Sequence, residues 1–151
     1  MRILISFLAL WLLAGVLGAA CGGGGDDVAT VVLRPEGRPE VRVRVELART
    51  HDEQAQGLMF REHLEADAGM LFPYPNEDIR RFWMRNTLIP LDMLFISSDN
   101  RVVGIVENAE PQTDTVRQVA EPSQHVLEVN GGFSAAHGIT AGTPVEFRNI
   151  E

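Results

Sequence analysis

Apolar and polar positions alternate strictly through Val41-Arg-Val-Arg-Val-Glu-Leu47, the pattern of a strand with one buried and one solvated face. Val28 to Leu33 is a short, β-branched apolar run, and Arg34-Pro-Glu-Gly-Arg-Pro-Glu40 between the two is dense in turn residues. Together they predict a hairpin whose outer face carries Arg42, Arg44 and Glu46. Thr50-His-Asp-Glu53 spells a capping box, in which the threonine hydroxyl serves the Glu53 amide and the Glu53 carboxylate reaches back. A helix is therefore expected from His51 to about Phe60, burying Ala55, Leu58 and Met59, with Asp52 and Glu53 at its positive end. Gly69-Met-Leu-Phe72 reads as a buried strand stopped by Pro73 and Pro75.

The centre of the chain is Arg81 to Ile96. Arg81 to Arg85 alternates, with Phe82 and Met84 on one face and Trp83 and Arg85 on the other. Asn86-Thr87 and Pro90 interrupt as turn residues do, and Leu91 to Ile96 resumes as a strand too apolar for a solvated surface. Beyond it, Ser97 to Asn100 is a hairpin turn and Arg101 to Val106 pairs back. Glu110 to Pro122 is a polar connection without periodicity. His125 to Val129 is a further strand, Asn130-Gly-Gly132 a sharp turn, and Phe133 to His137 a short helix closed by Gly138. Thr140 to Thr143 turns into a last strand, Pro144 to Arg148. Six to eight strands and about two short helices define an α+β chain: one compact domain dominated by antiparallel β-sheet and barrel-like.

The first residues are of another kind. Met1-Arg2 carries one positive charge, Ile3 to Leu17 is nearly all apolar, and Gly18-Ala-Ala20 precede the only cysteine, Cys21. This is the build of a secretory signal peptide, too short for a membrane span of roughly 20 residues. The small residues before Cys21 resemble the lipobox of bacterial lipoproteins, whose cysteine is diacylated, although Gly18 stands where leucine is usual. Ordinary cleavage is the alternative. The division expected is residues 1–20 as signal peptide, 21–27 as a lipidated Cys21 with a glycine-rich tether, and 28–151 as the globular domain. The localisation that follows is the cell envelope, with the membrane as a partner through lipid on Cys21, on the periplasmic face of the outer membrane.

Removal of the leader leaves 12 arginines against 21 acidic residues, a formal charge of −9, with no lysine. An acidic domain without a basic cluster is a poor match for nucleic acid. The four histidines are scattered, no zinc spacing is present, and no hydrolase elbow, phosphate loop or dinucleotide fingerprint occurs. No metal and no cofactor is expected. What remains is a polar set embedded in apolar sequence: Arg61, Arg85, Asn86, Thr87, Asp92 and Glu128, with Trp83 and Phe82 as a candidate platform. A buried carboxylate near arginine would orient a sugar, an amine or a water; Arg85–Asp92 or Arg61–Asp92 would equally serve as a structural pair.

Gly57-Leu-Met-Phe-Arg61, Gly69-Met-Leu-Phe72, Phe82-Trp-Met-Arg-Asn-Thr87, Ile89-Pro-Leu-Asp92, Phe95, Val126-Leu-Glu128 and Gly132 resemble the successive signature blocks of domain-of-unknown-function family 192, from about Val41 to Phe147. The resemblance implies a compact β-rich fold and no particular reaction. Its signature polar positions fall on Arg61, Arg85, Asn86, Thr87, Asp92 and Glu128. The leading expectation is an envelope lipoprotein whose domain binds a small polar ligand or a protein partner without chemistry. A hydrolase or lyase acting on envelope sugars or peptides with Asp92 and Glu128 as acid and base, and a purely structural protein, are the alternatives.

Overall fold

The computed structural model describes residues 28–151; the expected signal peptide, lipidated Cys21 and tether fall on residues outside the described ones. Seven strands and two helices follow in the order β1 (Thr30–Leu33), β2 (Val41–Leu47), α1 (His51–Gln56), β3 (Ala68–Asp78), β4 (Leu91–Ile96), β5 (Val102–Ala109), β6 (Ser123–Asn130), α2 (Phe133–His137) and β7 (Val145–Arg148). The strands form one sheet in the order β5-β4-β6-β3-β2-β1-β7. The sheet curls so that its two edge strands meet near their ends. There the Val145 amide donates to the Asn100 carbonyl and the Val102 amide to the Thr143 carbonyl. The result is a curled half-barrel. All neighbours are antiparallel except β2 and β3, which run parallel, with α1 in the crossover that a parallel pair requires.

The curl divides the apolar side chains into two clusters, one on each face of the sheet. Val31, Leu33, Val43, Leu94, Ile96, Leu127 and Val129 fill the concave side with Phe133 and Ile139. Met70, Phe72, Leu91, Met93, Phe95 and Val126 lie on the other side, covered by Leu58, Leu64 and Met84 from the connections. β4 contributes to both, which is why all six of its residues are buried. Gly69 lets β3 approach β6: a Cβ there would stand 2.6 Å from the Glu128 carbonyl oxygen.

Three elements depart from the sequence expectation. The capping box forms as read, but α1 ends at Gln56, with Gly57 at φ 48°; its own residues bury nothing, Ala55 is exposed, and Leu58 alone is fully buried. β3 runs through Pro73 and Pro75 to Asp78. Past Leu71 it is paired only with β6, with a register shift between Pro73 and Asp78. A proline there removes no ladder bond on its open side. Arg81 to Arg85 is not a sheet strand. It makes an isolated bridge, Phe82 with Arg117, and the Met84 amide donates to the Thr113 carbonyl. Its alternation nonetheless holds: Met84 is buried, while Trp83 and Arg85 face solvent.

A candidate binding cleft with a buried acid

Asp92 and Glu128 sit on neighbouring strands, yet the register separates them. Asp92 is opposite Val129 and Met93 is opposite Glu128, and residues opposite one another share a face. Asp92 therefore points with Leu94 and Ile96 into the concave core, while Glu128 points to the other side of the sheet. They cannot work on one bond, which removes them as an acid/base pair.

Asp92 is fully buried. Its Oδ1 accepts the amides of Asn108 and Gly132 at 2.8 and 2.9 Å, and its Oδ2 accepts the Ser134 amide at 2.8 Å. It thus holds the end of β5 and the start of α2 to β4. Neither expected arginine partner is there. Arg61 forms a bidentate pair with Glu46, and Arg85 bonds Asp114 at 2.8 Å while its guanidinium lies 5.1 Å from the Trp83 ring centre. Asn86 takes the left-handed conformation of a turn, φ 55°, and its carbonyl accepts the Phe60 amide at 2.8 Å. Among the described residues no three His, Cys, Asp or Glu side chains converge as metal ligands would.

Glu128 is the exception among the polar set. It is 4% exposed, and burial alone pushes its carboxyl up to about 8. No amide or side chain among the described residues bonds to it. Glu128 lines a cleft of about 80 Å³ walled by Phe72, Tyr74, Phe82 and Trp83, with Thr87 and the backbone turn at Gly57. A methyl group on Gly57 would stand 3.8 Å from Glu128 Oε2 and 3.3 Å from the Phe72 ring, so this turn forms a close wall. Phe82 anchors the aromatic side, edge-on to Phe72 at 5.1 Å and to Phe95 at 6.1 Å. Burial raises the Tyr74 phenol as well, opposed by Arg80 and reinforced by the Glu128 charge; the Arg80 guanidinium caps the Tyr74 ring at 3.9 Å.

Of the residues singled out from sequence, Phe82, Trp83, Thr87 and Glu128 meet in this cleft. Arg85 and Asn86 flank it, Arg61 lies in an adjoining groove that shares Gln56 and Gly57, and Asp92 is on the far face. Sequence reading missed Tyr74, Arg81 and Gln54, which also line the cleft. They come from three separate segments and carry no local signal beyond the break at Pro73 and Pro75.

Fold and cleft together define a single-domain half-barrel with a small pocket lined by a buried acid, on the face of the sheet opposite Asp92. The chain belongs to domain-of-unknown-function family 192 (DUF192), described as uncharacterized ACR, whose family model matches residues 31–147. It is similar to a crystal structure of a protein of unknown function from Novosphingobium aromaticivorans DSM 12444, at 45% identity and TM-score 0.74 over 78% of this chain and 83% of that one. It is also similar to a protein from Sinorhizobium meliloti 1021 described provisionally as a transcription regulator, at 36% identity and TM-score 0.76 over 83% of this chain and 98% of that one. Comparison with curated proteins gave no match.

Proposed function

We propose that this chain is an envelope-anchored lipoprotein whose domain is a binding module without chemistry of its own, taking a small polar ligand by a protonated amine in the Glu128 cleft. The observation that carries the reading is a buried carboxyl without a hydrogen-bonding partner, opening onto aromatic walls. An isolated buried charge is costly, which is why the cleft by itself holds Glu128 largely protonated near neutral pH. An ammonium group reverses this balance, since an opposite charge favours the ionised form. Phe82 and Trp83 line the cleft, and aromatic side chains around an ammonium add to its binding. The cleft is smaller than a typical pocket for a whole metabolite, so it suits a head group rather than an entire ligand. The regulator description of the Sinorhizobium relative is not carried over: 12 arginines against 21 acidic residues do not favour contact with a phosphate backbone.

Calorimetric titration of the whole chain with n-butylamine tests the cleft. Binding at pH 7 is expected to release nearly one proton, seen by repeating it in buffers of different ionisation enthalpy, and to vanish in Glu128→Gln. Equal binding by the variant, or equal binding of n-butanol, would count against the reading. The anchor is tested separately: labelled palmitate should be incorporated in cells expressing the chain and be lost in Cys21→Ser. Label persisting in that variant would remove the lipoprotein.

A further inference from the structure

We infer that the cleft seats the side chain of a lysine from a protein partner, presented by an extended segment whose neighbouring apolar residues lie on a rim made by Phe60, Trp83 and Leu88. The inference rests on the amine reading above and names the molecule that carries the amine.

Three observations converge on it. The cleft accommodates a head group only, so whatever bears that group must lie outside, on the surface around the mouth. The chain next to the lining residues is apolar and exposed: Phe60, which follows Met59, is 66% exposed, Leu88, which follows Thr87, 39%, and Trp83, itself in the lining, 47%. Water-exposed side chains of this size, gathered around a pocket, mark interaction sites. The rim is also built as one piece, because the Phe60 amide to Asn86 carbonyl bond ties the turn after α1 to the turn that carries Leu88. Met59 and Thr87, the residues that precede Phe60 and Leu88 in the two turns, both line the cleft.

Phe60 supplies the second argument. Its backbone is left-handed, φ 64°, a conformation that a bulky residue avoids. Residues held in such backbone conformations cluster at active sites, ligand clamps and switch regions. The Phe60 ring belongs to neither apolar cluster of the described residues and is mostly exposed.

Size selects lysine over arginine. A carboxyl pairs with either cation, as Arg61 and Glu46 do elsewhere in the domain, but a cleft of about 80 Å³ suits a compact ammonium on a slim apolar stem better than the wider planar guanidinium. The lysine stem would pass between Trp83 and the Gly57 turn, and the flanking residues would cover the rim. An exposed Phe and Trp surrounding a buried charge contact have the make-up of a binding hot spot.

The test is calorimetry on the whole chain with three probes: n-butylamine, the capped peptide acetyl-GLKLG-amide, and the same peptide with norleucine in place of its lysine. The lysine peptide is expected to bind about tenfold or more tighter than butylamine, and the norleucine peptide about tenfold or more weaker than the lysine peptide. Phe60→Asn, which suits the left-handed backbone, and Leu88→Ser should each weaken the peptide by about tenfold while leaving butylamine unchanged. If butylamine binds and the peptide binds no tighter, the protein partner is overturned and the amine cleft stands. The partner is equally overturned if the rim variants bind peptide as the wild type does. If neither amine probe binds while the variants unfold in urea like the wild type, both readings fall.

Discussion

Asp92→Ala is expected to lower the unfolding free energy by roughly 3–6 kcal/mol, a large part of the 5–15 kcal/mol typical of a whole domain. Three amides, Asn108 from the end of β5 and Gly132 and Ser134 from the start of α2, end on this one buried side chain. Alanine leaves all three donors without this acceptor, the Ser134 amide buried and the Asn108 and Gly132 amides half-buried, at about 1–3 kcal/mol for each that water cannot reach. Asp92→Asn should fall between, because its amide keeps one acceptor oxygen but turns an NH2 towards donors. Urea unfolding of wild type and both variants checks the ranking. Butylamine binding by Asp92→Asn should match the wild type, since Asp92 is on the opposite face of the sheet from the cleft. An Asp92→Ala variant with an unchanged urea midpoint would show that other groups hold α2 in place.

Asp92 and Glu128 also show where sequence legibility stops. Parity along each strand correctly groups Asp92 with Leu94 and Ile96, and Glu128 with Val126. Whether those two faces coincide depends on the β4–β6 register, which puts Met93, not Asp92, opposite Glu128; no local pattern states that. β4 is legible because an all-apolar six-residue run has little alternative to burial on both faces. The hairpin of β1 and β2 is legible from strict alternation around a proline-rich turn. The capping box marks the start of α1 to the residue, yet the helix ends earlier than its apolar spacing implies. Leu58 and Met59 fit a helical face, whereas Gly57 has already turned the chain outwards towards Phe60. Pro73 and Pro75 mislead for a different reason. Proline ends a strand only where its missing N–H is needed, and β3 has lost its β2 neighbour by that point. The parallel β2–β3 pairing has a cue in the helix between them, but the short alternating strands around it favour an antiparallel reading. Glu128 is identifiable as a buried acid; that it faces an aromatic cleft depends on Tyr74, Phe82 and Gly57 arriving from three segments.

The stability of the wild type is expected to fall as pH rises between about 4.5 and about 8, and Glu128→Gln should abolish most of that slope. The Glu128 carboxyl is raised by burial from its ordinary value near 4.5 to about 8. Within that window the folded chain keeps a proton that the unfolded chain has lost, so unfolding releases one, and stability decreases with pH. The contribution is fully present below the unfolded value and is lost as pH climbs through the folded one; across the window it amounts to a few kcal/mol, on the order of a third of a domain's stability. Glutamine has nothing to lose. It should resemble the wild type at pH 4.5 and exceed it by a few kcal/mol at pH 8.5, where the wild type must bury a charge or strain to expose it. Urea midpoints of both proteins over this range read the difference directly, and comparing the pair cancels the other titrating groups. Saturating butylamine should flatten the wild-type slope, since a bound cation lets Glu128 ionise while still buried, and should leave glutamine unmoved. Parallel slopes for the two proteins without ligand would place the titration elsewhere and leave the floor of the cleft without the acid that its chemistry requires.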